Sequence, residues 1–408
     1  MVGRMRSTRA GLVGSILALL ATTACAGFDP IPDHFALSDD DAVELEVEWC
    51  HDLVFVEVMI GEAGPYRLLL DTGAYTTVLD DDLVAEAGLD LRRSRHKVRG
   101  SGNKTAPIAG FAKVEGMTIA GVEGRSWVVE DFEATAFDLE AFDAAFGRRF
   151  DGILGLSAFM GLTLELDYPE RRVAVLPSRL EPDAALPEGV GRLEHSSPSR
   201  PVIEVDLAGR TTELLLDTGF NDRLSIGELD TWPLVERPTP VGASRGVGGL
   251  RTNSAARIEG QLAVGPALFV DPIASDDPKQ AGKLGVLFMR EYSWRFDPER
   301  ALVEVAAGAT EPVLTPPLVS LGFVADSVAS PTPELERGLE VLALLADSPA
   351  SADGLEVGDV VLRINGEPLP GVCERPSEGR ESGMPLRLEV LRAGQVVEIE
   401  SETYTLIE

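Results

Sequence analysis

From about residue 43 onward, apolar residues come in short runs bounded by glycine-containing or acidic turns, a pattern that predicts strands. One arrangement occurs twice. Leu53-Val54-Phe55-Val56-Glu57-Val58 leads into a glycine-containing turn, then into Tyr66 to Leu70 and Asp71. Pro201-Val202-Ile203-Glu204-Val205-Asp206 leads into Gly209, then into Thr211 to Leu216 and Asp217. Each copy reads as a strand, a hairpin turn and a second strand that ends on an aspartate. The leucine runs Leu68–Leu70 and Leu214–Leu216 are apolar at successive positions, as expected for strands covered on both faces.

The repeat extends beyond the strands. Lys113 to Gly121 matches Arg257 to Gly265, and Asp151-Gly152-Ile153-Leu154-Gly155 matches Ala281-Gly282-Lys283-Leu284-Gly285. Each copy then continues through Phe159-Met160 or Phe288-Met289 to a strand and a similar acidic turn. Three collinear blocks predict two related halves in one chain. Residues 43–180 form the first half and 199–308 the second, joined by a polar, proline-containing linker at 181–198. A second linker at 309–317 precedes a separate unit at 318–408.

Both leucine runs open into Asp-Thr-Gly: Asp71-Thr72-Gly73 and Asp217-Thr218-Gly219. A carboxylate on a turn after a buried strand is costly to desolvate. Two such turns facing each other would form a shared-proton pair, because like charges in contact cannot both ionise. One carboxylate would then activate water while its protonated partner donates to a carbonyl. Gly73 and Gly219 allow close backbone approach, and Thr72 and Thr218 are placed to hydrogen-bond across the pair.

With their flanking blocks, these triplets resemble the pepsin-like and retropepsin-like aspartic proteases over roughly residues 45–305. The resemblance implies a mostly β protein: two retropepsin-like β-barrel halves fused into one bilobal body, with Asp71 and Asp217 as catalytic pair. It also implies a glycine-rich flap in each half, at Gly100-Ser101-Gly102 and at Gly246 to Gly249, with Gly248 between. It calls for no metal or organic cofactor, and the substrate would be peptide or protein. Two departures mark the second half: Phe220 follows Gly219 where a small residue is usual, and Lys283 replaces Ile153. They leave open an inactive, peptide-binding envelope protein, or an enzyme pairing two first halves across a dimer.

Residues 318–408 resemble a bacterial PDZ domain through Ser320-Leu321-Gly322-Phe323 and the run Gly354-Leu355, Gly358-Asp359-Val360-Val361 and Ile364-Asn365-Gly366-Glu367. The resemblance implies that Leu321, Gly322 and Phe323 bind a peptide C-terminus by strand addition, recruiting substrate or a partner; a structural PDZ-like cap with a self-occluded groove is the alternative.

Composition narrows the setting. The 408 residues carry 36 Lys plus Arg against 67 Asp plus Glu, a formal charge of −31. This argues against nucleic acid as a partner. Arg4, Arg6 and Arg9 before the apolar run Ala10–Ala21 read as a signal peptide over residues 1–24. Leu20 to Cys25 resembles a bacterial lipobox, which implies a lipid anchor on Cys25, a tether at 25–42 and a periplasmic or outer-membrane lipoprotein; ordinary secretion is the alternative. Cys50 and Cys373 could pair in an oxidising compartment, but they fall in different predicted domains, so the expectation is two free thiols. The four histidines are scattered without metal-ligand spacing.

Overall fold

The structure is a computed structural model that describes residues 35–36, 42–99, 105–140, 142–143, 149–177, 179–197, 200–246, 249–277, 282–307, 312–329, 335, 337–371, 373 and 381–408. The expected signal segment, Cys25, Gly100, Ser101, Gly102 and Gly248 lie outside the described residues.

In the first half, Leu53–Ile60 and Ala63–Asp71 form an antiparallel pair, with Phe55 opposite Leu69 and Val56 opposite Leu68. The later strand Gly152–Gly155 inserts beside the second of these. It runs parallel to Ala63–Asp71, with Leu154 opposite Leu70 and Gly155 opposite Asp71, and antiparallel to Val78–Asp80. The chain entering the Asp71 turn and the chain leaving it are therefore wedged by one buried strand. Glycine is required at the wedge, because a Cβ at Gly152 would lie 2.5 Å from the Val78 carbonyl oxygen.

The second half repeats this topology. Arg200–Leu207 pairs with Arg210–Leu216, and Gly282–Leu284 lies parallel to the latter and antiparallel to Leu224–Ile226. Lys283 faces Leu215 across the ladder, as Ile153 faces Leu69. Leu68, Leu69, Leu70, Leu214, Leu215 and Leu216 are all buried, as runs covered on both faces must be.

A central sheet joins the halves. Thr163–Asp167 from the first half pairs with Tyr292–Asp297 from the second, with Leu164 opposite Phe296 and Leu166 opposite Trp294. The sheet extends through Arg172–Leu176 to Val43–Glu44 on one side. On the other it extends through Leu302–Ala307 to Val190–Ser197. The expected linker at 181–198 is thus corrected in part: Val190–Ser197 is a strand of this sheet. Its polar appearance comes from groups that pair within the sheet, such as Arg192, which meets Glu304 at 2.6 Å. Within the expected tether, Phe35–Ala36 pairs with Ser126–Val129. Within the second expected linker, Val313–Leu314 pairs with Ala267–Val270.

The C-terminal unit is a small sheet in the order Phe323–Ala329, Arg337–Leu344, Val360–Ile364, Pro385–Arg392, Gln395–Glu402. A short helix, Pro349–Ala352, is capped by Ser348, whose hydroxyl accepts from the Ser351 N–H. Leu318–Ser320 pairs with Tyr404–Ile407. This pair docks on the second half, where Ile407 is buried with Ala255 and Ile273 beside Val241, Leu318 and Leu406. The Arg257 guanidinium clamps the junction, donating to the main-chain oxygens of Asp271, Thr315 and Glu408.

The cysteines correct the expectation of two free thiols. Cys50 and Cys373 form a disulfide between the first half and the C-terminal unit. Separation in sequence gave no indication of this, because the C-terminal unit folds back onto the body. The purified protein should therefore show no reactive thiol from Cys50 or Cys373 until a reductant is added. Cys373→Ser should lower thermal stability, disulfides of this kind being worth about 2–5 kcal/mol. Full labelling of both cysteines without reductant would refute the bridge.

Candidate active site

Asp71 and Asp217 sit at the interface between the halves, 1% exposed each. Each carboxyl faces the opposite glycine turn: a Cβ at Gly73 would lie 2.5 Å from Asp217 Cγ, and one at Gly219 would lie 2.5 Å from Asp71 Cγ. Close approach, not backbone conformation, therefore demands glycine at both positions. Asp71 Oδ1 accepts from the Gly73 N–H at 2.8 Å and the Ala74 N–H at 3.2 Å. Asp217 Oδ1 accepts from the Gly219 N–H at 3.1 Å.

The threonines lock the two turns reciprocally. The Thr72 N–H donates to Thr218 Oγ1 at 2.9 Å, and the Thr218 N–H donates to Thr72 Oγ1 at 3.1 Å. Each hydroxyl then donates across the interface, Thr72 Oγ1 to the Leu216 carbonyl at 2.7 Å and Thr218 Oγ1 to the Leu70 carbonyl at 2.9 Å. Four hydrogen bonds thus satisfy the backbone groups that the two turns bury.

Burial, first, and the adjacent Asp217 carboxylate, second, push the Asp71 carboxyl well above the usual aspartate range; the Lys283 ammonium and the Gly73 N–H oppose them. Among the described residues, no hydrogen-bond donor reaches the buried Asp71 Oδ2. A proton on Asp71, directed at Asp217, resolves both observations. Burial, first, and the charges of Asp52 and Asp217, second, raise the phenol of Tyr168, which is 5% exposed.

Lys283 was read from sequence only as a divergence. Its ammonium donates to Asp217 Oδ2 at 2.7 Å, with side chains 3% and 1% exposed. The register explains the reach. Lys283 lies opposite Leu215, and Asp217 follows two residues later on the same face of the neighbouring chain. The ammonium also sits 5.6 Å from the centre of the Phe220 ring. The two departures of the second half are therefore in contact. The available signal was a lysine in a strand otherwise buried on both faces, since such a cation needs a buried partner.

Of the expected flap positions, Gly246 and Gly249 are among the described residues, and the strands on either side of both segments are paired. Lys97–Arg99 pairs with Thr105–Pro107 around residues 100–104, and Thr239–Gly246 pairs with Gly249–Arg257 with Gly246 opposite Gly249. In the C-terminal unit, Leu321 and Gly322 form the turn before Phe323–Ala329. The Gly322 carbonyl accepts from the Leu345 N–H at 2.9 Å and from Ser348 Oγ at 3.0 Å. Gly322 has φ +91°, a conformation that favours glycine. Phe323 packs against the core of this unit.

Two outcomes follow from this geometry. Thr72→Val keeps the shape but orphans the Thr218 N–H and the Leu216 carbonyl, at about 1–3 kcal/mol each. Chemical denaturation should show that loss, and the Thr72→Val/Thr218→Val pair should be strongly non-additive; simple additivity would mean that the two do not act as one lock. The raised Asp71 carboxyl contributes stability that is fully present below the ordinary aspartate pKa of about 3.9 and is lost as pH rises through the folded value. Asp71→Asn cannot ionise, so its melting temperature should fall less than wild type between acid and neutral pH. Parallel profiles would argue against a protonated Asp71.

Comparison with known proteins finds two family models that match parts of the chain. Residues 56–158 match the family model described as aspartyl protease, and residues 317–376 match that described as PDZ domain. No curated protein matches the chain. Among solved structures, the basic 7S globulin from soybean is 9% identical, with a TM-score of 0.40, covering 67% of this chain and 96% of its own. The chain thus carries an aspartyl protease domain in its first half and a PDZ domain at its C-terminal end.

Proposed function

We propose that this protein is an aspartic endopeptidase whose dyad is Asp71 and Asp217. The observation that carries the reading is the pairing of two buried carboxyls across reciprocal threonine locks, with Asp71 Oδ2 lacking a donor. A water between the carboxyls would lose a proton to the ionised aspartate while its oxygen adds to the peptide carbonyl carbon. The protonated aspartate would give its proton to the carbonyl oxygen. Collapse of the resulting diol would break the C–N bond, the leaving nitrogen taking the proton held by the first carboxyl and the diol returning one to the second. Thr72, Gly73, Thr218 and Gly219 would hold the geometry, and the hairpins around residues 100–104 and 246–249 would cover an extended peptide.

The C-terminal unit would recruit a peptide C-terminus at Leu321, Gly322 and Phe323. Phe323–Ala329 is an end strand of its sheet, the kind of edge that strand addition uses; Val324 to Ser327 are buried and Val324 lies beside the second-half hairpin, so a peptide would add there only if that hairpin gives way. An exported setting is supported by the Cys50–Cys373 disulfide, since such bridges persist in oxidising compartments. A lipid anchor on Cys25 completes this reading from the sequence.

One observation favours the non-catalytic, peptide-binding alternative: a cation already occupies Asp217 Oδ2. Cleavage of a diverse peptide library across acid to neutral pH separates the two. Wild type should cleave, and Asp71→Asn and Asp217→Asn should each lose at least about 10²–10⁴-fold. A folded wild type that binds peptides with no cleavage at any pH would favour the binder.

A further inference from the structure

This inference rests on the peptidase reading and concerns how its proton is placed. The two oxygens of Asp217 have different donors, the Gly219 N–H on Oδ1 and the Lys283 ammonium on Oδ2. Asp71 has two backbone donors on Oδ1 and none on Oδ2. Phe220 can offer no hydroxyl to the pair, and its ring instead flanks the ammonium, a favourable placement for a desolvated cation. The first half has no counterpart, because Ile153 occupies the equivalent register position.

Charge counting gives this asymmetry a consequence. A dyad holding one proton carries one negative charge, and the ammonium cancels it. With no proton or with two, the buried cluster is left with a net charge that is expensive away from water. We propose that Lys283 is a positioning residue that holds Asp217 as the carboxylate and confines the shared proton to Asp71. Asp217 then receives the proton of the water and Asp71 donates to the substrate carbonyl, an assignment that the near-symmetry of the two halves leaves open. Each carboxylate oxygen of Asp217 has two lone pairs, so the Lys283 bond leaves acceptor positions for the water.

A fixed cation favours carboxylates, so it lowers both titration steps of the pair. The singly protonated, active form therefore lies at lower pH than in the same dyad without Lys283. Among the described residues, the ionisable groups at the pair are Asp71, Asp217 and Lys283, and the buried Tyr168 phenol is near enough to feel Asp217. Asp52, beside Tyr168, is held by Arg290 at 3.2 Å. On the loop after Asn221, the Asp222 carboxylate accepts from the Arg223 N–H.

The test compares the pH dependence of kcat/KM in wild type, Lys283→Met and the double variant Phe220→Thr/Lys283→Ile. The double variant gives the second half the small hydroxyl and the aliphatic side chain that its position allows, so it guards against a Met variant that fails to fold. Loss of Lys283 should move the alkaline limb upward by at least about one unit, retaining about tenfold more activity above the wild-type limb. Carboxyl-carbon NMR of aspartate-labelled full chain, assigned with Asp71→Asn and Asp217→Asn, reads the proton without needing turnover. Asp217 should remain a carboxylate through the pH range in which Asp71 takes up its proton. An unmoved limb, protonation of Asp217 before Asp71, or a Lys283→Met enzyme faster at every pH with unchanged limbs would each overturn the proposal. Absence of cleavage in wild type with the expected NMR titration would sink the peptidase reading and leave the proton assignment standing.

Discussion

Everything in the body is arranged around removing two carboxyl groups from water at one interface. Their desolvation is offset by backbone N–H groups and one ammonium. The geometry must be tight, since each carboxyl rests against the opposite glycine at a distance that excludes a side chain. The reciprocal threonine bonds hold the turns at that distance. The wedge strands Gly152–Gly155 and Gly282–Leu284 support them from beneath, and the central sheet joins the two supports into one body.

The two halves have the same topology but not the same chemistry. In the first, the wedge presents Ile153 and the turn continues with the small Ala74. In the second, the wedge presents Lys283 and the turn continues with Phe220. These differences are coupled, because Phe220 lies beside the cation that Lys283 places on Asp217. The repeat therefore supplies the frame, and two residues of the second copy make the two carboxyls, one from each half, inequivalent.

The C-terminal unit is attached at two separate places. Its terminal strand packs at the base of the second-half hairpin, against Ala255 and Ile273. Its Cys373 is bonded to Cys50, beside the first strand pair of the other half. The end strand Phe323–Ala329 approaches the same hairpin, where a Cβ at Gly242 would lie 3.9 Å from Val324 Cγ2. The unit that resembles a peptide-binding module is thus built into the body at both halves, which a tail on a linker would not be.

The sequence by itself determined the repeated strand-turn-strand frame, the two Asp-Thr-Gly turns and the separate C-terminal unit. Each is written in local patterns: apolar runs on both faces of a strand, glycine where backbones must approach, turn residues at fixed offsets. The tertiary structure alone decided what depends on which residues meet across the fold. The strand Val190–Ser197 looked like a linker because its charges are neutralised by neighbours such as Glu304. Cys50 and Cys373 looked unpaired because the chain return that joins them has no local signature. Lys283 looked like a lapse in the repeat, since strand periodicity gives the face of a side chain but not the partner it reaches. Its meeting with Asp217 depends on the parallel register of two strands distant in sequence, and that register is fixed by packing between elements.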